Sequence, residues 1–363
     1  QRHAYRVAEV LKSYPAIYGW ATSMQLTMVF LILLLLLYAN ALQPVALLTG
    51  ATGRTGQLVT NLMLDQGFRC NIFCRNEQRA REIFHGKSNI EFFQGELINH
   101  DDIQAAFDNT KQQKLSHVVY MAGGDNIDYK CVNYQAVAAF AEEAAKCETM
   151  RHFVVVSTAW ATKPYSIASL LFNSMYIDTV PMASHYLGEQ AVRKAASMNE
   201  NLNYVVLRAT GLNSDENYAK KYPDAVSMEL TYQQGDNFDF FGIAGKPGMS
   251  RNQLANAIVS AVNVEGRYTV EVTGSGTVER TDSSVYERLI LDEAEVTLNA
   301  EDEIYDAHVV AIKRLKNTAI TASLIGIAFV GLFGWSQGLF LFFSFDAAII
   351  FVWSVFFAKK QAL

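Results

Sequence analysis

The chain of 363 residues has only four cysteines, and Cys70, Cys74, Cys131 and Cys147 fall at no metal-ligand spacing. Cys70 and Cys74 belong to one strand-like run in which side chains alternate between faces, so all four are read as reduced, buried thiols, and no metal site is expected. Clustered Lys and Arg are also missing: the net charge of -6 is spread along the chain, which argues against a nucleic-acid surface. There is no internal repeat and no low-complexity tract. Charge itself is scarce, at 18% of residues against 50% hydrophobic, more apolar than a soluble domain of this size usually is. The apolar excess is local. It lies in Met24 to Leu42 and Thr318 to Phe357, and the stretch between them has the composition of a globular domain.

The chain is organised around Val45 to Gly56, VALLTGATGRTG. A short apolar run gives way to a turn carrying Gly50, Gly53 and Gly56, and an amphipathic helical pattern starts at Gln57-Leu58-Val59. A strand, a glycine turn and a helix start form a seat for a pyrophosphate. The glycines allow a tight turn and a close approach of the backbone, and the N–H groups and dipole of the helix N-terminus face the anion. The cofactor-binding residues read from this turn are Gly50, Thr52, Gly53, Arg54, Thr55 and Gly56.

Strand-length apolar runs recur at Cys70 to Cys74, Ile90 to Phe93, Val118 to Ala122, Phe153 to Val156, Tyr204 to Leu207 and Tyr268 to Val272, with helical patterns such as Ala136 to Cys147 and Gly188 to Met198 between them. This predicts an α/β fold: a doubly wound, mostly parallel Rossmann sheet of order 3-2-1-4-5-6-7, with a ligand crevice outside the carboxyl ends of the strands. Ligand-facing residues should then follow strand ends. The second strand ends at Cys74-Arg75-Asn76, without the carboxylate that would bond the ribose hydroxyls of NAD, and a guanidinium there suits the extra phosphate of NADP. NADP(H) is therefore expected over NAD(H), with Arg54 able to join Arg75. Glu96 and Leu97 follow the third strand, where a carboxylate meets the adenine amine, and Ala122 and Gly123 follow the fourth.

These segments, together with VNYQAV at Val132 to Val137, FVVVSTAWATKP at Phe153 to Pro164, GEQAVR at Gly188 to Arg193, YVVLRATGL at Tyr204 to Leu212, and QQGD followed by MSRNQLANAIVSA, resemble an atypical short-chain dehydrogenase/reductase of the NmrA-like NAD(P)H-binding group, which includes many plastid proteins. The resemblance spans about residues 45 to 274. It implies a Rossmann fold, NADP(H) binding and a small substrate lobe built from segments after the fifth and sixth strands. The Tyr-x-x-x-Lys pair of the wider superfamily, in which lysine lowers the tyrosine pKa for proton transfer, is absent. His185 stands at the lysine position, Pro181 four residues before it, and neither Tyr176 nor Tyr186 has a lysine four residues on. Candidate catalytic groups are Ser157 and Thr158, which can bond a substrate carbonyl, and Tyr176 and His185 as proton donors. Tyr186 is a further possible donor. A tyrosine or histidine on a helix packed against the sheet is more often a structural residue with a satisfied polar tip.

Outside this core, residues 1–42 are read as an N-terminal tail with a signal peptide or a signal anchor: a compact apolar core ends at Ala39-Asn40-Ala41, which has the small-x-small form of a cleavage site. Gln1 is consistent with a fragment, a processed form or a translation start at Met24 or Met28. Residues 43–274 form the nucleotide domain, 275–317 an acidic, helix-rich connector, and 318–357 a transmembrane helical hairpin turning at Trp335-Ser336-Gln337. Lys313, Arg314 and Lys316 before the hairpin and Lys359 and Lys360 after it place both ends, and the nucleotide domain, on the stromal or cytosolic face of a plastid or endoplasmic-reticulum membrane. Asp346 lies within the second apolar stretch, either as a contact to a partner or as a neutral, hydrogen-bonded group. Small residues Ala322, Gly326, Gly331 and Gly334 line one side of the first stretch and suit close helix packing. The expected partners are a dinucleotide, membrane lipid and subunits of a membrane complex. Two functions follow: a membrane-tethered NADP(H)-dependent reductase of a lipophilic substrate, or a non-catalytic NADP(H)-sensing scaffold or assembly factor.

Overall fold

The structure, a computed structural model, describes residues 43–111, 113–123, 128–175, 180–213, 230–236, 249–274, 283–292, 303–318 and 321. Strands β1 (Val45–Thr49), β2 (Arg69–Cys74), β3 (Ile90–Gln94) and β4 (Leu115–Tyr120) alternate with helices α1 (Arg54–Asp65), α2 (Glu77–Ile83) and α3 (His100–Lys111). A π-helical turn, Lys130–Ala136, runs into α4 (Val137–Lys146), and β5 (His152–Thr158), α5 (Ile167–Met175), α6 (Pro181–Met198) and β6 (Asn203–Ala209) follow. The chain then forms short strands β7 (Leu212–Asn213), β8 (Thr231–Gln233) and β9 (Met249–Ser250), helix α7 (Arg251–Ala261), strand β10 (Arg267–Thr273) and a 3-10 turn, Ser283–Arg288. A last helix, α8, covers residues 303–318.

Eight strands form one sheet in the order β3-β2-β1-β4-β5-β6-β10-β8, and β7 pairs with β9 in a small second sheet. The first seven strands are parallel. All five residues of β1 are buried, as expected of a strand covered on both faces by helices. Helix α1 shows how that cover is made: Gly56, Val59, Thr60 and Met63 are its buried residues, spaced i, i+3, i+4 and i+7 on one stripe. On the other face Phe140 of α4 meets Phe73 and Tyr120 edge-on, with ring centroids 5.4 and 5.6 Å apart.

The seventh place of the expected order is taken by β10, and the sheet continues one strand further than expected. Strand β8 lies antiparallel along β10, pairing Tyr232 with Val272. The expected fold class is corrected at its C-terminal end. Among the described residues no helix is long and apolar enough to cross a membrane, so a transmembrane hairpin is not among the elements of the fold as described. Helix α8 lies in the stretch expected as a helix-rich connector and is two-faced: His308, Ala311 and Ile312 are buried while Lys313, Arg314 and Lys316 are exposed, so it packs along the domain. Thr318 and Thr321 apart, the residues expected to form the hairpin lie outside the described residues, as do Met24 to Leu42, Asp346 and the small-residue stripe.

At the amino end of the sheet His117 of β4 and His152 of β5 stack with centroids 4.8 Å apart. Burial, then the neighbouring His152, pushes the His117 imidazole down from 6.5 to about 3, and burial lowers His152 too. Unfolded chains protonate these rings near pH 6.5, whereas the folded chain resists protonation. Their contribution to stability is therefore complete above about pH 6.5 and is lost as the pH falls towards 3. Denaturant unfolding at pH 7.5 and pH 5 should show a loss on the order of 2 kcal/mol from His117, and His117→Leu should flatten that slope. An equal slope in the variant would show that this pair is not the acid-sensitive element.

Candidate functional site

Gly50 leaves β1 with φ at +70°, and a Cβ there would lie 2.7 Å from the Met121 carbonyl oxygen. A Cβ on Gly56 would come within 2.1 Å of the Gly50 oxygen. These two glycines are demanded by the packing of the turn on itself and on the chain leaving β4. Gly53 differs. It is exposed, its N–H donates to the Gly50 carbonyl at 3.0 Å, and it opens α1 with no side chain capping the helix. Asn76 caps α2, and Ser250 caps α7 in a reciprocal pair with Gln253. The start of α1 also carries no acidic residue. Its orphan N–H groups and positive dipole end are thus left at an exposed glycine, as a bound anion requires.

The other expected residues gather around this seat. The Thr52 carbonyl accepts from Gln57 Nε2 at 3.0 Å and closes the turn; Thr55 is half-buried and Arg54 exposed. Strand β2 pairs with β1 in parallel, Thr49 opposite Phe73, so Arg75 emerges beside the glycine turn. Arg75 is exposed, and the chain turns away at Asn76, whose side chain accepts from Arg79 N at 2.9 Å. Glu96 is exposed after β3, its own N–H held by Asp102 at 2.9 Å, and Leu97 packs partly buried against the core. After β4, Met121 N is bonded to Thr49 Oγ1 at 3.2 Å, which leads Ala122, half-buried, and Gly123, exposed, past the same turn. The residues present fit a dinucleotide: an uncapped helix start behind glycines at the end of β1, with exposed Arg75 and Glu96 following β2 and β3.

The expected catalytic residues lie beyond β4 and β5. Tyr120 donates to the Val132 carbonyl at 2.6 Å and fixes the start of the π-helical turn to the end of β4. Helix α6 crosses this turn closely, since a Cβ on Gly188 would fall 2.1 Å from the Asn133 oxygen. Asn133 is buried there and its Nδ2 donates to His185 Nε2 at 2.8 Å, which puts the ring proton on Nδ1. Burial, offset in part by Glu189, pushes His185 down to about 4, so the ring is neutral at pH 7. π-helical insertions frequently mark functional sites.

One helical turn below His185, Glu189 accepts from Ser157 Oγ at 2.6 Å and from Arg208 Nε and Nη2 at 2.9 and 2.7 Å. Arg208 Nη1 also lies 3.9 Å from Asp236 Oδ2 and 4.0 Å from Glu271 Oε1. Burial alone would raise the Glu189 carboxyl, but the Arg208 guanidinium and the Ser157 hydroxyl outweigh it and hold the group below the usual carboxylate range. Burial likewise works against the Arg208 charge, and the surrounding carboxylates hold it well above its ordinary value. Ser157 has thus committed its one proton to Glu189, whereas Thr158 is half-buried with only a long bond, 3.4 Å, to the Ala159 carbonyl. The Tyr186 hydroxyl accepts from Gln190 Nε2 at 2.5 Å, and Tyr176 lies outside the described residues. The structure therefore brings Ser157 and Arg208 together with Glu189, and sets His185 with Asn133. Sequence reasoning missed the parts played by Asn133, Asp236, Glu271 and His308. The first two sat in motifs already noted, VNYQAV and QQGD, but their partners are remote in the chain. Among the described residues no group of His, Cys, Asp and Glu is placed to hold a metal ion.

A family model described as NAD(P)H-binding matches residues 50–265. No curated protein matches the chain. Among solved structures, the chain is similar to one described as an NAD-dependent epimerase/dehydratase from Bacillus halodurans, with 17% identity and a TM-score of 0.52 over 68% of this chain and 100% of that one. It is also similar to the oxidoreductase ylbE from Lactococcus lactis, with 12% identity and a TM-score of 0.50 over 69% and 100%. At such identities the likeness shows the fold.

Two substitutions test the geometry. Gly56→Ala should cost at least about 2 kcal/mol by overpacking the turn, while Glu189→Gln, which takes the strongest partner from a buried guanidinium, should cost about 3–5 kcal/mol. Both are measured by denaturant unfolding. A near-neutral Glu189→Gln would mean that Asp236 and Glu271 suffice for Arg208.

Proposed function

Because the chain belongs to the NAD(P)H-binding family, we propose that it is an oxidoreductase that uses NADP(H) in preference to NAD(H). The observation that carries the preference is Arg75, an exposed guanidinium at the carboxyl end of β2, with Arg54 on the adjoining turn, where an NAD site would carry a carboxylate. Gly50 to Gly56 would hold the pyrophosphate, Glu96 and Leu97 the adenine side, and Ala122 and Gly123 the passage to the nicotinamide half. When bound, the cofactor supplies a hydride. The chain's own contribution at that end is His185: neutral, with its proton on Nδ1, it offers a hydrogen bond to a substrate oxygen, and Asn133 fixes the ring and its tautomer. A lipophilic substrate is supported by Ile167, Leu171 and Phe172, which α5 exposes just beyond the loop after β5.

One observation favours a second reading, a nucleotide-sensing scaffold: Ser157 spends its proton on Glu189, and no tyrosine has a lysine at the spacing the superfamily uses. The two readings separate on turnover. A screen of carbonyl, quinone and enone compounds for substrate-dependent NADPH oxidation should give activity that His185→Ala lowers by at least about tenfold at unchanged NADPH affinity. Binding without turnover would favour the scaffold.

The cofactor preference is tested by titrating the protein with NADPH and NADH. NADPH should bind at least about tenfold more tightly, and Arg75→Ala should remove most of that difference while leaving NADH affinity within about twofold. Equal affinities in the parent protein would overturn the preference.

A further inference from the structure

The loop that leaves β5, Ala159 to Ser166, borders the nicotinamide half of the crevice if the dinucleotide lies across the strand ends. It is held from two sides by residues far away in sequence. Asp236 accepts hydrogen bonds from the backbone of Trp160 and Thr162 and from the Thr162 hydroxyl, the last two at 2.9 and 2.7 Å. Asp236 is in turn fixed by its own N–H, which donates to Glu271 of β10. From the other side His308 of α8 donates from Nε2 to the Ala161 carbonyl at 2.9 Å. Its second nitrogen is used as well: Asn173 Nδ2 of α5 donates to His308 Nδ1 at 3.0 Å, and Asn173 Oδ1 accepts from Met182 N at the start of α6 at 3.0 Å. The His308 and Asn173 side chains are fully buried. Around them Leu170 of α5 packs on Ala311 and Ile312 of α8, with Tyr165 and Leu315 alongside.

The loop so held is strained. Trp160 has φ at +66° and is 5% exposed, and a bulky side chain in the left-handed region persists only where the surroundings over-determine it. A helix that merely covered apolar surface would need no buried imidazole bonded at both nitrogens to reach this loop. The helix also begins well after residue 265, where the family match ends.

Resting on the dinucleotide reading above, we propose that His308 is a positioning residue: through Ala161 and Asn173 it sets the loop after β5 and the first turn of α6, so that α8 is part of the wall on the substrate side of the site. The line of bonds from Ala161 through His308 and Asn173 ends at Met182, one turn before His185. Only the neutral ring fits, because Asn173 presents a proton to Nδ1. Burial keeps it neutral, working against the Ala161 carbonyl and the Asp236 carboxylate, which both favour the charged ring.

Hydrogen exchange read by mass spectrometry on the full chain, with and without NADPH, tests this. In the absence of cofactor His308→Ala should speed exchange across residues 159–166 by at least about tenfold while strands β1 and β4 keep their protection. His308→Gln, which returns an N–H donor to the Ala161 carbonyl, should recover much of the lost protection. With NADPH the parent protein should gain protection at residues 50–57 and at 159–166, and His308→Ala should keep the first gain and lose the second. Unchanged exchange at 159–166 in His308→Ala would overturn the inference. Absence of NADPH protection at 50–57 in the parent protein would instead overturn the dinucleotide reading, since the loop's dependence on His308 is measured without cofactor. If His308→Ala does not fold, Asn173→Ala, which keeps the bond to Ala161 but frees the ring, must loosen the same loop for the proposal to stand.

Discussion

A single guanidinium, that of Arg208, is the constraint on which the middle of this structure depends. It projects from β6 into a space with almost no solvent and is met by Glu189 from α6, Asp236 from the segment after β8 and Glu271 from β10. A buried charge is tolerable only when paired and fully hydrogen-bonded, so each carboxylate brings its own element into register. Glu189 ties α6 to β5 through Ser157, and Glu271 ties β10 to Asp236. Arg193 extends the array outward, bonding Thr269 at 2.5 Å, and Asp292 binds the Thr269 hydroxyl at 2.6 Å and the Tyr204 hydroxyl at 2.8 Å. Replacing such an array with apolar residues often leaves stability unchanged. Its value here is geometric, because it fixes where the loop after β5 and the helix bearing His185 stand.

The phosphate seat obeys a different logic. At Gly50 and Gly56 the absence of a side chain serves the protein's own packing, with virtual Cβ atoms 2.7 and 2.1 Å from backbone oxygens. Gly53 serves the ligand by leaving the helix end uncovered and uncapped. Two demands therefore fall on one short turn: it must be rigid enough to aim N–H groups and open enough to admit an anion. Rigidity comes from below, through the Thr49 hydroxyl and the Gln57 amide. Openness comes from the lack of a capping side chain, a concession that α2 and α7 do not make.

How much of this was legible in the sequence follows from the range of the interactions involved. The conformation of the turn at Gly50 to Gly56 and the places of Arg75, Glu96 and Ala122 after β2, β3 and β4 were legible because they are local: a few consecutive residues set the conformation, and the parallel order of strands does the rest. The seven parallel strands were legible for the same reason, each being a short apolar run. Strand β8 was not, since Thr231-Tyr232-Gln233 carries no apolar run and is a strand only because β10 lies beside it. Asn133 met His185 across 52 residues, and His308 met Ala161 across 147; no pattern along the chain announces such pairs. The helix at 303–318, with His308, Ala311 and Ile312 on one stripe, falls in the stretch whose composition announced a helix-rich connector, and its packing on the domain needed the partners Leu170 and Ala161 to be seen.

The arrangement also bears on how a site without the tyrosine and lysine pair would keep its chemistry in order. In such a pair the lysine charge lies beside the reacting proton and sets its acidity directly. Here the corresponding position holds an imidazole kept neutral by burial against the opposing pull of Glu189, which sits one helical turn away and is itself bonded to Arg208 of β6. A neutral ring with a fixed tautomer stabilises a developing oxyanion by a hydrogen bond and contributes little field of its own. Its effect then depends on distance and angle far more than on ionic balance. That shifts the burden to whatever holds α6 and the adjoining loop in place, and the buried bonds of Asn133, Asn173 and His308 supply that hold. On the proposed reading, polar side chains buried away from His185 would be where the precision of that ring originates.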